Sequence, residues 1–374
     1  MKKSIVIGLL LLGGVFYVLK SQNINLFGPS QKRIRTTLGH RAIKNLDGRI
    51  LGIEKVLAKM PKDRQAPLKK KLMSSFQTRM TFLGTFDDLE KAEKLVDTKS
   101  FDKDQILTNI SFFMTTHQFD KAETEIARLS QKSGTELSAK GHWASVNMAR
   151  GKNLAQARED QLRILGVHKS YANYVALAGI EMELGEYKEA EKYFKKSIEV
   201  YRGTSPFAPA YTHFQLGVMF GEKIFDLHRA KLHYKEAMAY LPQYVKARVH
   251  LSEIYMVEGK TQEALQLLLD VRDVQDPEVK ATIAEIYLSM GKNKEAKPYL
   301  AQAAEDYEVL LQNYELAFGD HGAEFFMGVG DNPKRALKLA LRNLENRKSQ
   351  GAFELAQEAI QRAQEHQKEL NIKM

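Results

Sequence analysis

The sequence contains no cysteine in 374 residues. That absence excludes disulfides, thiolate metal sites and cysteine nucleophiles, and it is compatible with export, where a stray thiol would mispair. Proline is scarce, nine residues in all, against an average usage of about 5%. Lysine, glutamate, alanine, leucine and glutamine abound instead, so helix is favoured over strand. Signatures of catalysis are missing too. There is no His-Glu-x-x-His pair and no Gly-x-Ser-x-Gly elbow, and Gly328-Val-Gly330 lacks the strand, lysine and hydroxyl of a phosphate loop. The histidines, His228 and His233 among them, do not fall on one helical face. Asp320, His321 and Glu324 bring three ligand types near one turn, and polar helix-start residues account for that grouping more simply. Glu181 and Glu183 read as carboxylates of a solvated helix face. No catalytic, cofactor or metal-binding set emerges, and the chain reads as a non-enzyme.

Charge is unevenly placed. The net charge is +10, yet residues 1–71 hold 16 lysines and arginines against Asp47, Glu54 and Asp63, and the remaining 303 residues carry 40 basic and 43 acidic side chains. The basicity is local, which argues against a nucleic-acid footprint over the whole surface.

After Met1, Lys2 and Lys3, residues 4–19 form a sixteen-residue run without charge. As helix it would span about 24 Å, slightly short of a hydrocarbon core of about 30 Å. A signal peptide would need small residues just beyond it, where Val18-Leu19-Lys20-Ser21 stands. The run therefore reads as a retained anchor, with cleavage left open. Lysines and arginines nearly balance across it, so the side of the membrane stays open as well. A start of this type and the missing cysteines favour a bacterial inner-membrane protein with an extracytoplasmic body. Residues 22–41, with Gly28-Pro29-Ser30, read as a basic linker. Lys32, Arg33, Arg35, Lys69, Lys70 and Lys71 form a candidate membrane-proximal basic set for anionic lipid, with a solvated linker as the plain alternative. Apolar residues at Leu46, Ile50, Ile53 and Leu57 predict a helix from about Ala42 to Met60, and a second is predicted over Leu68 to Leu83.

From residue 103 onward the sequence repeats itself. Tyr174 to Ala190 with Phe194 aligns with Val249 to Ala264 with Leu268, and with Ile283 to Ala296 with Leu300. Each places a glycine, an alanine five residues on and a bulky apolar residue four further. A fourth copy, with Phe214, Ala230, Tyr234, Ala237 and Pro242, has one extra residue in its turn. Looser copies run through Phe113, Phe119, Ala122 and Ile126, and through Trp143, Gly151 and Ala157. This pattern resembles the tetratricopeptide repeat, a helix pair of about 34 residues.

The resemblance implies an all-α fold: an α-solenoid of antiparallel helix pairs, a TPR-like superhelix, preceded here by the N-terminal transmembrane or signal-anchor helix. The boundaries that follow are 1–21 anchor or signal segment, 22–41 linker, 42–102 helical region with degenerate repeats, 103–308 repeat array, and 309–374 degenerate repeat and capping helix. Positions that such arrays turn inward, transferred by register, are Met114, Met148, Val175, Met182, Tyr211, Phe214, Val218, Val249, Glu253, Met256, Glu285 and Leu288. They describe an apolar, mildly acidic groove with a line of methionines, which suit varied apolar partners, although methionine at this spacing is equally a core pattern. Lys246 is the one basic residue at these positions, too little to clamp a C-terminal carboxylate. The implied function is a membrane-tethered protein-interaction scaffold that binds helical or extended segments, in envelope assembly or secretion, without a cofactor. Partners are other proteins and the membrane. The alternatives are lipid or nucleic-acid binding by residues 32–71, nucleic acid being the weaker, and a subunit of a glycan-processing enzyme.

Overall fold

Apolar residues spaced about one helical turn apart recur throughout the chain, and each such stretch forms a helix with that stripe buried. The computed structural model describes residues 33–373, with side chains through Glu369. The expected anchor, most of the linker and Lys32 lie outside the described residues. Among those described there is no strand, and no helix is long and apolar enough to cross a membrane.

Helix α1 (Gly39–Leu57) buries Ala42, Leu46 and Ile50. Helix α2 (Ala66–Leu83) buries Leu72, Met73, Phe76 and Met80, and the short α3 (Asp88–Glu93) follows it. Then come the pairs α4 (Lys103–Thr115) with α5 (Phe119–Ser130), α6 (Glu136–Arg150) with α7 (Leu154–Val167), and α8 (Tyr171–Glu183) with α9 (Tyr187–Val200). Next are α10 (Phe207–Val218) with α11 (Leu227–Tyr240) and α12 (Val245–Val257) with α13 (Thr261–Leu269). Helix α14 (Pro277–Ser289) pairs with the long α15 (Asn293–Met327), and α16 (Pro333–Asn346) and α17 (Gln350–Lys373) complete the chain.

Local chemistry sets the ends. The Asp102 carboxylate accepts from the backbone N–H groups of Asp104 and Gln105 at 2.8 and 3.1 Å, which starts α4. At the repeat turn after α12, Gly259 has φ 72°, and the Lys260 N–H donates to the Tyr255 carbonyl at 2.8 Å. This left-handed closure is one that glycine adopts without strain. The extra residue after α10 is absorbed as a π-helical turn over Met219–Lys223, closed by the Ile224 N–H on the Met219 carbonyl at 3.1 Å. Phe225 beyond it has φ 61° and is 60% exposed. Helix α15 bends at Tyr314, whose backbone leaves the helical region, and so divides into the partner of α14 and a first helix that pairs with α16.

Neighbouring helices pack throughout, and first helices also touch the next first helix, as α6 does α8 and α12 does α14. The methionine line falls into these seams. Met114 packs on the N-terminal core, Met148 on the Ala144–Ala157–Ile180 cluster, and Met182 on the core around Phe194 and Phe220. Val175, Phe214 and Val218 join that same core, Tyr211 packs beside Phe82 and Tyr244, and Val249 is fully buried. Apart from Val249 these side chains are half-buried, packed against the neighbouring helix on one side and accessible on the other.

The array also meets itself. Phe82 at the end of α2 packs on Phe207 and Tyr244, with ring centroids 5.0 and 4.6 Å away, and Phe86 packs on Phe318 at 5.0 Å. The Tyr314 hydroxyl donates to Glu93 at 3.1 Å. Further along, Asn346 donates to the His117 carbonyl at 3.0 Å, Arg347 to the Ala149 carbonyl at 3.1 Å, and the Lys348 N–H to the Arg150 carbonyl at 2.7 Å. Gly151, φ 65°, lies so close to Ser349 that a Cβ would stand 2.4 Å from its backbone nitrogen. The expected open trough is thereby closed at this point, because curvature brings the last helices back onto the first repeats.

Two predictions follow from this packing. Gly151→Ala meets both a left-handed backbone and the Ser349 main chain, so it should cost at least about 1 kcal/mol. It should also speed hydrogen exchange over residues 346–352, and unchanged exchange there would contradict the closure. His213 and His233 sit Nδ1 to Nδ1 at 3.1 Å between α10 and α11. Burial pushes His213 down to about 4, and burial first, then His213, holds His233 below its ordinary value. The unfolded chain takes protons that the fold refuses, so stability is complete above about pH 6.5 and is lost as pH falls towards 4, at about 1.4 kcal/mol per unit per group. Melting temperature should drop between pH 7 and 5, and the His213→Gln, His233→Phe pair should flatten that slope.

Candidate functional site

A cavity of about 870 Å³ lies inside the C-terminal half of the array. Two parts of the chain line it. Helices α12 and α14 contribute Glu253, Ile254, Met256, Ala281 and Glu285, of which Glu253 and Glu285 are repeat-related, and the turn after α10 adds Glu222 and Lys223. The other part comes from beyond Tyr314: Asp320, Glu324 and Phe325 of α15, Asn343 of α16, and Leu355, Glu358 and Glu365 of α17. Arg347 and Ser349, which sit at the self-closure, line it too. The cavity thus depends on the same contacts that join the array's ends.

Its lining carries nine carboxylate side chains and three lysines or arginines. These groups are engaged within the fold: His250 lies 3.2 Å from Glu253, and Arg347 3.1 Å from Asp320. Burial alone would raise the Asp320 carboxyl, but His321, Arg347 and His117 outweigh it and hold that carboxyl below its usual value. Asn343 is only 5% exposed, and its Oδ1 has no hydrogen-bond partner among the described residues. Among those residues no group of histidines and carboxylates is arranged to hold a metal ion.

Of the residues expected to line a groove, Glu253, Met256 and Glu285 come together here, while Leu288 is exposed and the rest lie in the seams described above. Lys246, on α12, is paired with Asp276 at 3.1 Å and with Glu278. Glu253 and Glu285 occupy corresponding positions of successive repeats, whereas Glu222 reaches the cavity from the π-helical turn and has no counterpart in that register. Glu358 and Glu365 carried no sequence signal, because α17 reads as a polar cap and only its packing against α15 and α16 places it at the cavity. Among the basic candidates, Arg33 holds Glu236 by two bonds of 2.7 Å and Lys70 pairs with Asp104. Arg35 and Lys71 are exposed and Lys69 is half-buried.

Glu181 corrects a second expectation. It is fully buried, 0% exposed, and accepts from Arg158 Nε at 2.8 Å. It stands on the inward stripe of α8 with Leu177 and Ala178.

Residues 171–204 and 277–305 match one tetratricopeptide repeat family model and residues 225–281 match another, so these stretches are tetratricopeptide repeats. Such repeats are in general non-catalytic protein-interaction scaffolds. No curated protein sequence matches the chain. Solved structures similar to it include a tetratricopeptide repeat protein from Parabacteroides merdae, at 14% identity and TM-score 0.41 over 69% of this chain and 98% of that one. Another is the APC/C hetero-tetramer Cut9–Hcn1, at 15% identity and TM-score 0.46 over 84% and 52% of the respective chains. A third is PilW, described as a widely conserved type IV pilus biogenesis factor, at 18% identity and TM-score 0.39 over 57% and 94%.

The buried pair yields a prediction. Arg158→Met leaves the Glu181 carboxylate buried without that partner and should cost about 3 kcal/mol. Glu181→Gln removes the charge itself and should cost less. Chemical denaturation that ranks the two the other way would contradict this account of the pair.

Proposed function

We propose that this protein is a non-catalytic scaffold that receives a segment of another protein in the cavity bounded by α12, α14 and α17, tethered to a membrane by residues 4–19 and acting in cell-envelope assembly or secretion. The observation that carries the binding part is the cavity itself. The first helices α12 and α14 present Glu253 and Glu285 to it at corresponding repeat positions, and apolar surface lies beside polar groups, the mixture that recognition sites use. Support for the tether comes from the uncharged run after Met1-Lys2-Lys3. The absence of cysteine is in keeping with an extracytoplasmic body.

Two measurements test these parts separately. A photo-crosslinking residue at Glu285, in the cavity, should yield partner adducts in living cells, while one at the exposed Glu295 on α15 should not; equal labelling at both would sink the cavity as the binding surface. For the tether, the full chain should sediment with membranes and need detergent for release. Leu10→Arg with Leu12→Arg should leave it in the supernatant, because an arginine at a bilayer centre costs about 3 kcal/mol by insertion scales. An unaltered chain that never sediments would remove the tether from the proposal.

A further inference from the structure

Helix α1 presents a face of one charge to the outside. At 3.6 residues per turn, Arg41, Lys44, Lys55 and, just beyond its end, Lys59 fall within about 60° of one another around the helix axis, and all four are exposed. The carboxylates of α1 lie about 100° away by the same spacing: Asp47 is held by Arg79 at 3.0 Å, and Glu54 is half-buried. None of the four cations has an ion pair or a side-chain hydrogen bond among the described residues. Elsewhere exposed cations are commonly matched, as Lys192 is by Glu189 at 2.6 Å and Arg342 by Glu345 at 2.8 Å. Within the fold the four gain nothing, and neighbours such as Lys55 and Lys59 repel one another.

Two further observations point to what covers this face. The first is its composition. Leu51 and Val56, 57% and 48% exposed, flank the cationic line on either side. Gly48 and Gly52 stand among the cations, where a Cβ would meet nothing within 4 Å, so no bulk holds an outside surface away from the helix. Long cationic side chains with apolar neighbours and no anion between them suit the phosphates of an anionic bilayer and the layer just beneath. The second observation is where the chain comes from. Arg33 holds Glu236, the Ile34 N–H donates to the Tyr240 hydroxyl at 3.0 Å, and the Thr37 N–H donates to the Thr204 carbonyl at 2.7 Å. The segment leading into α1 is therefore fastened to the body. Arg33 follows Leu19, the end of the uncharged run, by fourteen residues, a reach of at most about 50 Å. A bilayer that takes up residues 4–19 is thus kept near α1, which is itself about 28 Å long. A second copy of the chain would bring the same cations opposite one another and be repelled.

We infer that α1 lies on the membrane, with Arg41, Lys44, Lys55 and Lys59 on the phosphates of anionic lipids and Leu51 and Val56 at the margins of the contact. The inference rests on the tether reading and adds an orientation to it. The tether supplies nearness, and α1 fixes which side of the body faces the bilayer. Such contacts are individually weak and screened by salt, so at physiological salt they do not retain a chain that has lost its tether.

Because the chain has no cysteine, Gly48→Cys gives the full chain a single labelling site, and Glu295→Cys, exposed on α15, gives a reference. Each carries a fluorophore and is added from detergent to preformed vesicles that contain a lipid-borne quencher. The vesicles are either phosphatidylcholine alone or have phosphatidylglycerol as about a third of the lipid. The label at position 48 should be quenched at least about three-fold more in the anionic vesicles, and raising salt from 50 to 500 mM should remove that difference. The label at position 295 should show no preference. Arg41→Glu, Lys44→Glu, Lys55→Glu and Lys59→Glu together should abolish the preference, as should the milder set with Gln at the same four positions, kept as the variant that retains the fold. Lys188→Glu, Lys294→Glu, Lys297→Glu and Lys334→Glu, at exposed cations of α9, α15 and α16, should leave it, which separates the face from net charge. Equal quenching at position 48 in the two vesicle types, by a chain that sediments with both, would overturn the inference and leave the tether standing. A chain that sediments with neither would remove both. Protein adducts without lipid adducts from a photo-crosslinking residue at position 48 in living cells would give the face to a protein and overturn the lipid assignment.

Discussion

A helix pair with two apolar faces cannot bury both alone, and the whole architecture depends on that constraint. One face meets the partner helix, and the other must meet the next pair. The consequence is visible at every seam: Ala178, Phe194 and Phe220 share one core, Val249, Leu268 and Ile283 another. Stacking of this kind carries a small rotation at each step, and over the length of this chain the rotation brings the last helices within reach of the first. Hydrogen bonds from Asn346, Arg347 and Lys348 to main-chain carbonyls of His117, Ala149 and Arg150 fix that meeting. The acceptors are main-chain carbonyls, and Gly151 beside them leaves the room that the Ser349 backbone occupies.

Closure changes what the inner surface can do. An open solenoid offers a long shallow face, whereas here α17 and the second half of α15 share with α12 and α14 a hollow of about 870 Å³. Burial acts on the acids of that lining: it would raise the Asp320 carboxyl, were it not for His321, Arg347 and His117. The histidines follow the same logic of burial in the opposite sense: His213 and His233 are kept neutral by desolvation, so the core between α10 and α11 gains stability only while those rings stay unprotonated.

Much of the fold was legible because it is written in local spacing. Helix α1 buries Ala42, Leu46 and Ile50, as their spacing predicts, and the glycines at 185, 259 and 291 all take the left-handed backbone that ends a first helix. Even the surplus residue after Phe214 was visible, although not the π-helical form that accommodates it. The site was legible only in part. Glu253, Met256 and Glu285 line the cavity, but Met114, Met148 and Met182 pack partly buried against neighbouring repeats, a contact that a lone helix cannot show. Glu181 was misplaced for a related reason: a carboxylate on an apolar stripe is tolerated when Arg158, from the preceding pair, reaches it.

What the sequence by itself determined is the identity of the repeating unit, since hydrophobic period, turn glycines and helix caps act over a few residues and need no distant partner. What only the tertiary structure decided is which inward residues stay accessible and that Asn343, Arg347 and Glu358 share a cavity with Glu253. Those outcomes hang on the accumulated rotation of many stacked pairs, a sum of small angles that no single stretch of chain encodes.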